Sequence, residues 1–101
     1  SKAFCAVMSV VGLLSVELYV PDAQSLKDKR MVLRRVKDRL KKFNISVAET
    51  EHQELWQRAA LAVVTVRTTP AAVDEALTAV VNEIERVAPS MVTRTHVDFL
   101  T

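Results

Sequence analysis

A chain of 101 residues, half of them hydrophobic, is expected to form one domain with a core that needs no disulfide or metal staple. Its one cysteine, Cys5, excludes an internal disulfide and a cysteine-based zinc site, which makes cytoplasmic folding the expectation. A net charge of +2 conceals strong segregation: nine cations between Lys27 and Lys42 against Asp28 and Asp38 leave that segment at +7 and everything outside it at −5.

In chain order, the apolar run Ala3–Leu14 behind Lys2 is too short to cross a bilayer and lacks a small-residue cleavage site. It is read as no targeting segment, and no membrane association is expected. Met8 is a possible start position, which would make Ser1–Val7 upstream residues of a single domain spanning 1–101. Ser9–Val20 alternates as a strand, with Val10, Gly12, Leu14, Val16, Leu18 and Val20 on one side and Val11, Leu13, Ser15, Glu17 and Tyr19 on the other. Gly12 marks a bulge or a close packing contact. Pro21-Asp22 ends the strand.

Ser25–Phe43 reads as a long amphipathic helix. Leu26, Leu33, Val36, Leu40 and Phe43 recur at seven, three, four and three residues, one face of a 3.6-residue period. Ser25 is the N-cap, and Asp28 three residues on gives a capping-box pattern. Lys27, Arg30, Arg34, Lys37 and Lys41 form a cationic stripe about 21 Å long beside the apolar one. Such a row suits a phosphate backbone, an acidic protein groove or anionic lipid, although charge runs are also common as solvated faces, here partly paired with acids on the second helix. Lys29 falls inside the apolar stripe. It either snorkels past a sheet edge or joins Lys27 and Arg30 in an anion site at the helix N-terminus.

Ile45–Glu51 alternates as a more exposed strand, and His52–Trp56 is a connection of hairpin length. Gln57–Arg67 contains AALAVVTV, apolar on both faces and therefore central. Thr69-Pro70 caps a second helix, in which Val73, Leu77, Val80, Ile84 and Val87 recur at helical spacing until near Pro89. Met91–Leu100 is a polar, edge-like strand. The order β-α-β-β-α-β, with two right-handed crossovers, predicts an α+β ferredoxin-like fold: a four-stranded antiparallel sheet with both helices on one face. The apolar first and third strands take its centre.

Little in this arrangement suggests catalysis or a cofactor, and none is expected. Glu49 and Glu51 share a predicted strand face but His52 starts on the other, so no metal site is assigned, and the acids are read as protecting an edge strand. With Gly12 as the only glycine, neither a phosphate loop nor the GXXG loop of a KH domain is available. The third strand lacks the aromatics of an RNA-recognition motif. An enzyme acting on an anionic substrate at Lys27, Lys29 and Arg30 would have no nucleophile or base. Trp56, beside Leu55, is expected to plug the end of the sheet, while His52, Gln53, Trp56 and Gln57 together are the alternative, a small recognition loop. The sheet face away from the helices, assigned Val11, Leu13, Tyr19, Leu61 and Val63, is a candidate surface for a homo-oligomer.

Two elements carry a family resemblance: SLK-x-KR (Ser25, Leu26, Lys27, Lys29, Arg30) and H-Q-x-L-W-Q (His52, Gln53, Leu55, Trp56, Gln57). With the flanking VGLLSVELYVPDAQ and RAALAV runs, the chain from about Met8 onward resembles the YlxP-like family, small bacterial proteins catalogued as a domain of unknown function. The resemblance implies a ferredoxin-like fold and brings no catalytic residues. It also implies genes beside those for ribosome maturation and translation initiation factors, hence a role near ribosomal RNA or a ribosome-associated protein. The expectation is a non-enzymatic module that binds RNA through Lys27, Lys29, Arg30, Arg34, Lys37 and Lys41, salt-sensitive and weakly sequence-selective. The alternative is a homo-oligomer joined through the open sheet.

Overall fold

A computed structural model describes residues 9–100; Cys5, Met8 and the possible upstream residues 1–7 lie outside them. Strand β1 spans Val10–Tyr19, helix α1 Leu26–Leu40, β2 Ser46–Glu51, β3 Arg58–Arg67, helix α2 Pro70–Val87 and β4 Val92–Phe99. The strands form one antiparallel sheet in the order β2-β3-β1-β4, the expected ferredoxin-like arrangement with the two apolar strands at its centre. No helix among the described residues is long and apolar enough to cross a membrane.

Both helix starts follow from their caps. The Ser25 hydroxyl accepts from the Asp28 amide at 3.0 Å, and the Thr69 hydroxyl accepts from Ala72 at 3.1 Å with Pro70 in the first helical position. The Asp28 carboxylate reaches back past Ser25 to the amide of Gln24, one residue beyond the partner a capping box uses. Helix α1 stops at Leu40, three residues short of the predicted Phe43. There the chain tightens into a turn, with the Phe43 amide donating to Leu40, and Phe43 still packs against the core.

The core lies between the sheet and the helices. Leu14, Val16 and Leu18 of β1 and Ala59, Leu61 and Val63 of β3 meet Leu33, Val36 and Leu40 of α1 and Val73, Leu77, Val80 and Ile84 of α2. Leu61 and Val63 therefore do not belong to the open face assigned to them. They pair with Val16 and Leu14, whose side chains face the helices, and are 1% and 0% exposed. A strand apolar on both sides carries no alternation to read, so only the pairing register fixes its parity. The open face of β3 is instead Ala60, Ala62, Val64 and Val66, opposite Glu17, Ser15, Leu13 and Val11.

Gly12 is the close-packing contact, with no bulge there. A Cβ at this position would meet Leu77 Cδ1 at 3.2 Å and Val73 Cγ1 closer still, so its absence lets α2 approach β1. Val73 is fully buried and stiff at χ1, so it cannot swing away. Gly12→Ala should lower unfolding stability by about 1–3 kcal/mol, read from urea denaturation. A change of under about 0.5 kcal/mol would mean that the helix shifts without strain.

Candidate functional site

The cationic face of α1 is built by the same period that buries its apolar face. With Leu33, Val36 and Leu40 turned into the core, Arg30 and Arg34 are exposed and Lys37 half-buried, facing away from the sheet centre. Together with Lys41, just past the helix end, they line a shallow groove against the β2 edge, floored by Leu33 and flanked by Asp38 and Glu49. Lys27 is exposed in the first turn, outside that groove.

The pairing of these cations is uneven. Lys41 meets Asp38 at 3.1 Å with both side chains more than half exposed, a contact that contributes little. Lys42 reaches Glu83 of α2 at 3.3 Å. Glu83 is largely buried and also bonded by Arg86, whose guanidinium holds the carboxyl below its ordinary range despite burial, with Lys42 adding to the effect. Glu83 is thus the one acid of α2 that pairs with the basic segment 27–42 among the described residues, and it does so just past the end of α1. Lys27, Arg30, Arg34 and Lys37 form no ion pair with any described residue.

Lys29 is not part of that surface. The residue is 1% exposed, and the ammonium lies 2.7 Å from the carbonyl of His52, 3.1 Å from that of Arg58, 3.5 Å from that of Gln53 and 3.3 Å from the Glu49 carboxylate. The alternative of an anion site there is overturned: every donor of the ammonium already points at a protein oxygen. The lysine instead bolts α1 to the β2–β3 connection.

That connection, 52–57, is held from both ends. His52 is in the left-handed region at φ 63°, and its carbonyl accepts from both Lys29 and the Leu55 amide. Gln57 donates its side-chain amide to the carbonyls of Pro21 and Ala23 at 3.0 and 3.1 Å, while its own carbonyl accepts from Val20. Gln53 donates to the Glu49 carbonyl at 3.4 Å. The two sequence elements behind the family resemblance therefore meet in space, through Lys29 and His52. Of the four loop candidates His52 is half-buried, and Gln53, Trp56 and Gln57 are exposed. Trp56 is 53% exposed, with Tyr19, Leu55 and Arg58 around an open hollow, so it does not plug the sheet.

A grouping that sequence spacing missed lies on the open face. Between Glu49 and Glu51 the register of β2 against β3 slips, with Thr50 as the extra residue. Glu49 consequently faces the helices, beside Lys29, and Glu51 faces the other way, so the two acids do not share a side. There Glu51 and His52 meet Glu17 of β1, with one ligand atom from each within 4.8 Å of the others. The available signal is Glu17 itself, the one charged residue of central strand β1.

Comparison with known proteins adds family and fold. The uncharacterised protein YlxP of Bacillus subtilis (strain 168) is 40% identical over 58 residues, 56% of this chain and 63% of that relative, so the match spans less than two thirds of its length. Among solved structures, the designed protein Ferredog-Diesel aligns with a TM-score of 0.58 at 17% identity, covering 87% of this chain and 83% of its own. A C-terminal segment of the alpha subunit of aIF2 from Pyrococcus abyssi aligns at 0.53 and 20% identity, covering 98% of this chain and 53% of its own. At such identities these structures speak to the fold alone. The family described as protein of unknown function (DUF503) matches residues 11–97, nearly the whole described chain, and this protein belongs to it.

Proposed function

We propose that this protein is a non-enzymatic module that docks on structured RNA through the outer face of α1, with Arg30, Arg34, Lys37 and Lys41 contacting phosphates and Lys27 extending the row. The observation that carries this reading is the row of Arg30, Arg34 and Lys37, which line one groove without an ion pair to any described residue. Cations left unpaired by their own fold are available to a polyanion, and their attraction acts through released counterions with little regard to base sequence. Lys29 no longer belongs to the set. The gene context implied by the family resemblance points to ribosomal RNA as the first polyanion to try. Co-sedimentation of the purified chain with ribosomal subunits, titrated with salt, tests the reading: binding should weaken steeply as salt rises. No binding at low salt would remove it.

A second reading is self-association through the open sheet. Val64 and Val66 are 36% and 53% exposed on its central strand, beside Val11 and Leu13, and supply the apolar area that Leu61 and Val63 do not. Val66→Glu should then convert a concentration-dependent dimer into a monomer in sedimentation velocity without loss of helicity. A wild-type chain that is monomeric at every concentration would end this reading.

A further inference from the structure

We propose that Glu17, Glu51 and His52 form a binding site for a zinc-like divalent cation on the open face of the sheet, opposite the basic helix. The geometry is that of ligands around a small ion. His52 Nε2 lies 3.3 Å from Glu17 Oε2 and 3.9 Å from Glu51 Oε2, and the three ligand atoms fit within 4.8 Å. Two ligands on a tetrahedral ion with bonds of about 2.0–2.1 Å stand about 3.3 Å apart, so a cation between them needs only small side-chain adjustments.

Independent support comes from hydrogen bonding. Glu17 Oε2 and His52 Nε2 are both shielded from solvent and form no hydrogen bond, although polar atoms in such positions are normally satisfied. Glu49 Oε2 also lacks a hydrogen bond, but the Lys29 ammonium, a separate cation, compensates it at 3.3 Å, whereas the group at that distance from Glu17 Oε2 is the His52 imidazole, itself one of the three ligands. Apart from His52 itself, no cationic side chain among the described residues lies within ion-pair distance of Glu17. A bound cation would satisfy both atoms and neutralise the two carboxylates.

The site is also held in place from beneath. Lys29 and the Leu55 amide fix the His52 carbonyl, and the bulge at Thr50 turns Glu51 toward Glu17. One imidazole and two carboxylates suit zinc and its first-row neighbours better than magnesium or calcium, which favour all-oxygen sets. Three protein ligands leave a position open toward the hollow that Glu17 and Glu51 share with Ser15 and Thr50, where water or a further ligand can complete the shell.

The test is calorimetric titration of the tag-free, chelator-treated full chain with Zn²⁺, with Co²⁺ absorption reporting on coordination. His52→Asn removes the imidazole while tolerating the left-handed backbone, and Glu17→Gln removes one charge at constant size. One equivalent of Zn²⁺ should bind, weakened at least about tenfold in each variant. His96→Gln, the other histidine of the open face, and Cys5→Ser should bind as wild type does. A wild-type chain that takes up no Zn²⁺, binding that persists in both site variants, or binding that disappears in Cys5→Ser would overturn the site. Circular dichroism of each variant separates lost ligands from lost fold, and a weakened titration on a folded His52→Asn chain is the result that decides in favour.

Discussion

Lys29→Met is expected to destabilise the fold by about 3–5 kcal/mol, a large share of the roughly 5–15 kcal/mol that holds a domain of this size together. Methionine keeps the buried stem but removes the ammonium, leaving Glu49 as an uncompensated, largely buried carboxylate and the carbonyls of Gln53 and Arg58 short of a donor. The His52 carbonyl retains the Leu55 amide, so the loss falls mainly on the other three oxygens. Unfolding in guanidinium would measure it, with Arg30→Met, one residue along and exposed, expected within about 0.5 kcal/mol of wild type. Adding Glu49→Gln to Lys29→Met should restore part of the loss and reveal a coupling of more than about 1 kcal/mol. A Lys29→Met chain as stable as wild type would mean that water fills the cage, and that the lysine is not what secures the loop.

That lysine also shows where a sequence stops being readable. Its position inside the apolar stripe marks it as unusual, but the sequence offers only snorkelling past the sheet edge or an anion site, and the buried ammonium does neither. Seeing the cage requires knowing which backbone oxygens lie nearby. Those belong to the β2–β3 connection and the first residue of β3, 23 to 29 residues away, which helical spacing cannot report. The fold itself was legible, because each helix carries its own cap and period and each central strand its own apolarity. Helix α1 ran three residues short because Phe43 keeps a core contact from a turn, so the hydrophobic period outlasts the helix.

The site errors share another cause. In β3 both faces are apolar, and Leu61 and Val63 were assigned to the wrong one because a two-sided strand has no alternation. In β2 the bulge at Thr50 adds one residue to the count, which separates Glu49 from Glu51 and brings Glu51 to Glu17. Both are questions of register, fixed by pairing with another strand and invisible within either segment. Trp56 failed differently. Its large apolar area suggested burial, yet Gln57 and Lys29 tie the loop down without it, so the ring remains outside.

Charge reversal across Arg30, Arg34 and Lys37 is expected to abolish RNA binding while leaving stability nearly unchanged. Each phosphate neutralised contributes a slope of about 0.7–0.9 to the dependence of log affinity on log salt, so four or five contacts should weaken binding about a hundredfold between roughly 50 and 200 mM salt. Substituting Glu at three positions removes most of those contacts and adds repulsion at each, which should take affinity below detection at any salt concentration. Net charge alone would also weaken binding to a polyanion, and two single variants separate that effect from a defined surface. Arg34→Glu and Arg94→Glu change the charge of the chain equally, but Arg34 lines the groove on α1 and Arg94 pairs across from Glu17 on the other side of the sheet. The first should cost about tenfold in affinity and lower the salt slope by about one, and the second less than about twofold. Equal losses would make the attraction a property of the whole molecule. A loss confined to Arg34 would place the phosphates on the face of α1 that the fold leaves unpaired.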